Sequence, residues 1–198
     1  MTVTASQPGP STATGTAPRN VAGQAIAITV FSTCRWWARY YLTALFWYSR
    51  LRPSSRAKLA KLSFIHFARW TLVRRLPLSG QRLRYAHLFF ESNFNGGWEE
   101  YIDAFSHVLT KGMKKFWGSS YAYPGALPTA PFKAYIRRNE VDVSHYWSAY
   151  PDATITMITG ALQLDQALEK LKAEGAGLDD EAFAAAWRRF LTETQGWL

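Results

Sequence analysis

The first 90 residues contain no Asp or Glu, against 13 Lys or Arg. The first acid is Glu91, and from there to the C-terminus 14 acids face 10 bases. The formal net charge of +9 therefore combines a strongly basic half with a mildly acidic one. Such an asymmetry points to a polyanionic partner for the basic half: an anionic membrane surface, a nucleic acid or an acidic protein. The plain alternative is a basic surface that only aids solubility.

At 198 residues with 48% hydrophobic side chains, the chain suits one domain with appendages, and wholesale disorder is excluded. The single cysteine, Cys34, excludes an intramolecular disulfide framework and multi-Cys zinc or iron–sulfur sites. Residues 1–20 read as a disordered tail, since the first 18 are uncharged and dominated by Ser, Thr, Ala, Gly and Pro. The uncharged run at 20–34 has 15 residues, fewer than the roughly 18 that a spanning helix needs. Within it, residues 25–31 (AIAITVF) are short and β-branched, so strand and helix both remain open.

Residues 35–52 (RWWARYYLTALFWYSRLR) carry the most local information. On a helix, Arg35, Arg39, Thr43, Phe46 and Arg50 form one stripe, and Trp36, Trp37, Tyr40, Tyr41, Leu45, Trp47 and Tyr48 occupy the rest. A basic stripe opposite a broad aromatic face suits a helix lying in a membrane interface, with rings at headgroup depth and Arg beside lipid phosphate. Cations continue at Arg52, Arg56, Lys58 and Lys61, each worth about 1 kcal/mol of attraction to an anionic leaflet. The expected membrane-binding set is thus Arg35, Trp36, Trp37, Arg39, Tyr40, Trp47, Arg50, Arg52, Arg56, Lys58 and Lys61. The competing expectation is that the aromatic face packs on the domain. A true span is disfavoured, because Arg35 and Arg39 would sit within it.

Downstream, Pro53-Ser54-Ser55 breaks the helix, and a short basic amphipathic piece follows to Leu62. Residues 63–73 alternate as a strand with Phe64, His66, Ala68, Trp70 and Leu72 on one face. Residues 74–84 turn, and 85–92 pair back as a second strand. A helix over 97–117 has acids first and lysines last, matching the helix dipole. Pro131 opens a short helix to Arg138, and 141–149 suit a strand. Asp152 caps a helix to about 173, and Asp179-Asp180 begin a last one carrying Phe183, Trp187, Phe190 and Leu191. This order predicts an α+β fold, divided as tail (1–20), apolar segment with amphipathic helix (21–62), α+β domain (63–174) and a C-terminal helix (178–198) packed on that domain.

The segments SFIHFARW at 63–70 and LFFESNFNGGW at 88–98, with FKAYIRRN at 132–139 and YWSAYP at 146–151, resemble an uncharacterised family of bacterial proteins. Those proteins look similar to ferredoxin-like, dimeric α/β-barrel domains, the superfamily of dye-decolorising peroxidases and chlorite dismutases. The resemblance covers roughly residues 60–172 and implies a ferredoxin-like antiparallel sheet with helices on one face and a possible homodimer. It also implies a possible haem or apolar ligand. The Gly-x-x-Asp-Gly motif of dye-decolorising peroxidases is absent, so the resemblance speaks for fold more than for chemistry.

His66 is the one candidate axial haem ligand, against the commoner reading of a structural strand histidine. Spacing places it across the strand from Arg69 unless the strand is bulged. Glu91, Asn93 and Asn95 alternate into a helix start, where they would form a polar ligand cradle or simply build a turn; with His66 they are the candidate catalytic residues. Glu99, Asp103 and His107 span about 12 Å of helix, too far for one metal ion. No nucleophile triad, phosphate-binding glycine motif or metal signature is present. The expectation is a peripheral membrane protein on the cytoplasmic face. A small haem or apolar-ligand oxidoreductase and a nucleic-acid-binding protein are the alternatives.

Overall fold

The computed structural model describes residues 20–51 and 62–197. The N-terminal tail and residues 52–61, with Arg52, Arg56, Lys58 and Lys61, lie outside the described residues. The fold is α+β, with a four-stranded antiparallel sheet in the order β1-β2-β4-β3. The strands are β1 (Val21–Ala22), β2 (Ala25–Thr33), β3 (Ile65–Arg75) and β4 (Arg82–Asn95). Helix α1 (Ala38–Leu51) lies between β2 and β3 in sequence. After β4 come α2 (Trp98–Val108), α3 (Thr110–Trp117), α4 (Thr129–Asn139), α5 (Ile155–Gly175) and α6 (Asp180–Thr194).

Residues 25–31 resolve to a strand, because β-branched Ile26, Ile28, Thr29 and Val30 suit an inner position flanked by β1 and β4. The even-numbered side chains of β4 from Ala86 to Phe94 are buried, and the odd-numbered ones are half-buried. The buried side packs against the helices: Phe94 stacks on Tyr101 with ring centres 3.8 Å apart, and Trp70 stacks on Phe116 at 5.0 Å. Leu42 of α1, Met113 and Trp117 of α3, and Phe132 and Ile136 of α4 close this core. The segment set apart as 21–62 is therefore no appendage in its described part. β2 is an inner strand, and α1 contributes Ala38 and Leu42 to the same core.

Four expectations need correction. The strand at 63–73 carries a bulge between Ile65 and Phe67, so Ile65, Ala68, Trp70 and Leu72 face the core and His66 is the extra residue. The helix at 97–117 is interrupted at Leu109, with φ −114° and ψ 22°. There Thr110 Oγ1 donates back to the Ser106 and His107 carbonyls at 2.6 and 3.2 Å, competing with the helical ladder. Residues 141–149 form no strand; only the bridge of Glu140 with Val30 and the Val141 N–H to Thr29 O bond (2.9 Å) border β2. Thr154, not Asp152, caps α5, its Oγ1 accepting from Met157 N at 3.1 Å.

The β3–β4 hairpin is longer than the alternation indicated. It runs to Arg75 and resumes at Arg82 around a turn with Leu78 and Gly80 at φ 66° and 64°. Helix α6, capped by Asp179 Oδ1 accepting from Ala182 N at 2.8 Å, packs on α5.

Candidate functional site

Helix α1 presents three distinct sides. One is buried and holds Ala38 and Leu42, with Leu45 and Phe46 half-buried beside them. Phe46 stacks on Phe116 at 5.7 Å, so it belongs to the core and not to the basic stripe. The opposite side carries Tyr40 and Trp47, 64% and 66% exposed, together with Ala44 and Leu51; the helix begins at Ala38 and not at Arg35, and Trp36, 69% exposed in the turn before it, adjoins this side. Trp37, Tyr41 and Tyr48 are also exposed and extend this ridge laterally. Trp36, Tyr40 and Trp47 therefore stay outside the core, whereas Phe46 packs into it. Helical spacing puts Arg39, Thr43 and Arg50 along one flank of the ridge, between its exposed and buried sides.

On the Arg39 flank, α1 and the β3–β4 hairpin enclose a groove of about 620 Å³. Trp36, Arg39, Tyr40, Thr43 and Trp47 line one wall; Arg74, Arg75, Arg82, Leu83 and Arg84 line the other. No carboxylate lines it. The Arg39 guanidinium stands 4.7 Å over the Tyr40 ring, and Arg74 Nη1 donates to Thr43 Oγ1 at 3.4 Å. Arg75 Nη1 donates to Gly80 O at 3.0 Å, and the Arg84 guanidinium lies 5.4 Å from the Tyr85 ring centre. None of these five arginines is paired with a carboxylate among the described residues. On the other flank, Trp37 and Tyr41 border a groove of about 460 Å³ with Lys111, Lys114 and Lys115 of α3. The ridge thus has cations on both sides. Arg35 and Arg50 are exposed near its two ends.

Among these residues, Trp36, Arg39, Tyr40 and Trp47 were expected from sequence to act together, and they share one groove. The four hairpin arginines were missed, because 74–84 read only as a turn. The signal was present in RRLPLSGQRLR, where two pairs of arginines flank a Pro and a Ser-Gly. The α3 lysines were assigned to a helix dipole and not to this surface.

The other candidates lie elsewhere and do not converge. Glu91 pairs with Arg69 across β3 and β4 on the side of the sheet away from the core. Asn93 Nδ2 donates to Tyr146 OH at 2.8 Å. Asn95 Nδ2 donates to Gln24 O at 2.9 Å and its Oδ1 accepts from Ile155 N at 3.0 Å, so this amide ties the β1–β2 turn to α5. Gly97 precedes α2 with no side-chain cap. His66 is half-buried, and its Nε2 is buried without a hydrogen-bond partner among the described residues. Glu99 and Asp103 both take Lys133 Nζ at 2.8 Å, clamping α2 to α4, and this ammonium holds both carboxyls below their usual range. The His107 side chain makes no hydrogen bond or ion pair in that clamp among the described residues.

Cys34 is fully buried with Ser32 and Ser120, its Sγ 3.8 Å from Ser120 Oγ. Burial pushes this thiol up, which is the opposite of what a nucleophile needs. No helix among the described residues is long and apolar enough to cross a membrane. Comparison of the chain with protein-family models, curated proteins and solved structures gave no match.

Proposed function

We propose that this is a peripheral membrane protein that docks on an anionic leaflet through the aromatic ridge of α1. The observation that carries the reading is the exposure of Tyr40 and Trp47 on the side of α1 opposite its buried residues, and of Trp36 in the turn before it, with cations along both flanks. Indole and phenol rings gain from immersion at headgroup depth while keeping their polar edges wet. Arginine and lysine beside them meet lipid phosphate, each adding about 1 kcal/mol near an anionic surface. The ridge continues through Ala44 to Leu51, which favours lipid over a nucleic acid, since single-strand binders set separate rings as base platforms along a strand groove.

The test is co-sedimentation of the full chain with phosphatidylcholine vesicles, with and without an anionic lipid, across a salt series. Binding that prefers the anionic vesicles and persists in part at high salt is expected, because the apolar share is not screened. Failure to sediment with either vesicle refutes the reading.

We propose also that the sheet is ferredoxin-like. The β2-β4-β3 order, the helix between β2 and β3, and the pairing of residues 140–141 beside β2 support this arrangement. Nuclear Overhauser contacts from Phe90 to both Val30 and Trp70, with cross-strand contact from Val30 to Glu140, are its test. Direct Val30–Trp70 pairing would refute it.

A further inference from the structure

Attraction to a diffusely charged leaflet needs only cations near its plane, and Lys111, Lys114 and Lys115 on α3 meet that need. The arginine flank is built differently. Arg39 comes from α1, Arg74 and Arg75 from β3, and Arg82 and Arg84 from β4, and all five converge on one groove. Like charges gathered this closely repel one another unless a counter-charge enters. The chain supplies none among its described residues, and the stretch before Glu91, including residues 1–19 and 52–61, contains no acid at all. Arg39 Nε is moreover buried in this wall without a hydrogen-bond partner among the described residues.

Guanidinium forks match phosphate oxygens two at a time, so one phosphodiester, with two free oxygens, engages one or two forks, whereas five arginines line this groove. A groove of about 620 Å³ falls in the size range of ligand sites and holds more than one phosphate. Trp36 and Trp47 form its wall toward the exposed ridge, where the apolar part of a lipid would continue. We infer that this groove is the headgroup site for an anionic phospholipid carrying two phosphates. This rests on the docking reading above and names the lipid class that the docked surface selects.

The experiment compares the full chain on phosphatidylcholine vesicles containing phosphatidylglycerol with vesicles containing diphosphatidylglycerol at half that mole fraction, so that formal charge is equal. Apparent affinity on the order of tenfold tighter for the two-phosphate lipid is expected, the size of one added charge-assisted pair. The Arg74→Gln/Arg84→Gln variant loses that preference while retaining weaker binding to both. The Lys111→Gln/Lys114→Gln variant removes the same charge from the opposite flank, weakens both by about 30-fold and keeps the preference. All four positions are exposed, and thermal melts confirm that the variants fold. Equal affinity of the unaltered chain for the two charge-matched vesicles overturns the headgroup site and leaves the docking reading standing. So does a lysine variant that loses the preference as fully as the arginine variant.

Two further arms separate the sources of phosphate. Pyrophosphate that quenches tryptophan fluorescence while no vesicle binds overturns both the lipid source and the docking reading. Tighter binding to a single-stranded oligonucleotide than to either vesicle, at equal phosphate, also overturns the lipid assignment.

Discussion

Replacing Trp36 by Ala separates a docking ring from a packing ring. The indole is 69% exposed. With roughly 250 Å² for a whole tryptophan, about 170 Å² is free to leave water. At about 25 cal/mol per Å², full immersion would be worth about 4 kcal/mol, and a ring lodged at the interface gains about half, or 2 kcal/mol. Trp36→Ala should therefore weaken partition into anionic vesicles by about 30-fold, and Trp47→Ala, at 66% exposure, should match it. Because neither ring is in the core, folding stability should change by no more than about 0.5 kcal/mol. Leu42→Ala on the buried side of the same helix supplies the contrast, with about 2–5 kcal/mol of stability lost. The assay pairs vesicle titration with urea unfolding of the same preparations. Partition within twofold of the parent, or more than about 1 kcal/mol of lost stability, would refute the reasoning.

Stability should fall in alkali. Burial raises the Cys34 thiol and pushes Tyr123 up to about 12, above unfolded values of about 8.5 and 10. Their contribution is therefore complete below pH ~8.5 and is lost as pH rises, the Cys34 part first and the Tyr123 part above about pH 10, because the unfolded chain ionises before the folded one. Cys34→Ala should flatten the limb from pH 8.5 to 9.5 in urea melts, and a level profile in the parent would contradict this. Lys133→Met should raise the Asp103 carboxyl titration toward the ordinary range, read by NMR, since the ammonium at 2.8 Å is what lowers it. Gly23→Ala should destabilise by about 1–3 kcal/mol in the same melts, because the position has φ 60° and a Cβ there would meet the Pro151 carbonyl.

Much of the element order is legible in the sequence because it depends on local patterns. The alternation at 63–73, the acid-to-base order of residues 97–117 and the Asp179 cap each reflect forces acting within a few residues. The misses come from longer range. His66 was assigned by counting alternate residues, and a single bulge moved it out of register. Residues 141–149 are polar enough at Asp142, Ser144 and His145 to leave the sheet, and only the backbone of residues 140–141 follows β2. For the site, the amphipathic character of α1 was visible, but which side met the core was not. That depended on Leu42 fitting beneath the sheet while Trp36 and Trp47 stayed outside. The groove itself joins α1 to hairpin arginines that begin 27 residues after Trp47, a juxtaposition that no local periodicity encodes.

The most direct test is the depth of position 40 at the bilayer. Cys34 is fully buried, so Tyr40→Cys supplies the one accessible thiol for a nitroxide label, and Lys170→Cys on α5 provides an exposed reference. On adding anionic vesicles, the label at 40 should become shielded from a water-soluble relaxation agent and more accessible to oxygen, while the label at 170 stays in water. A label at 40 that remains as water-accessible as the one at 170 while the protein is vesicle-bound would contradict the account.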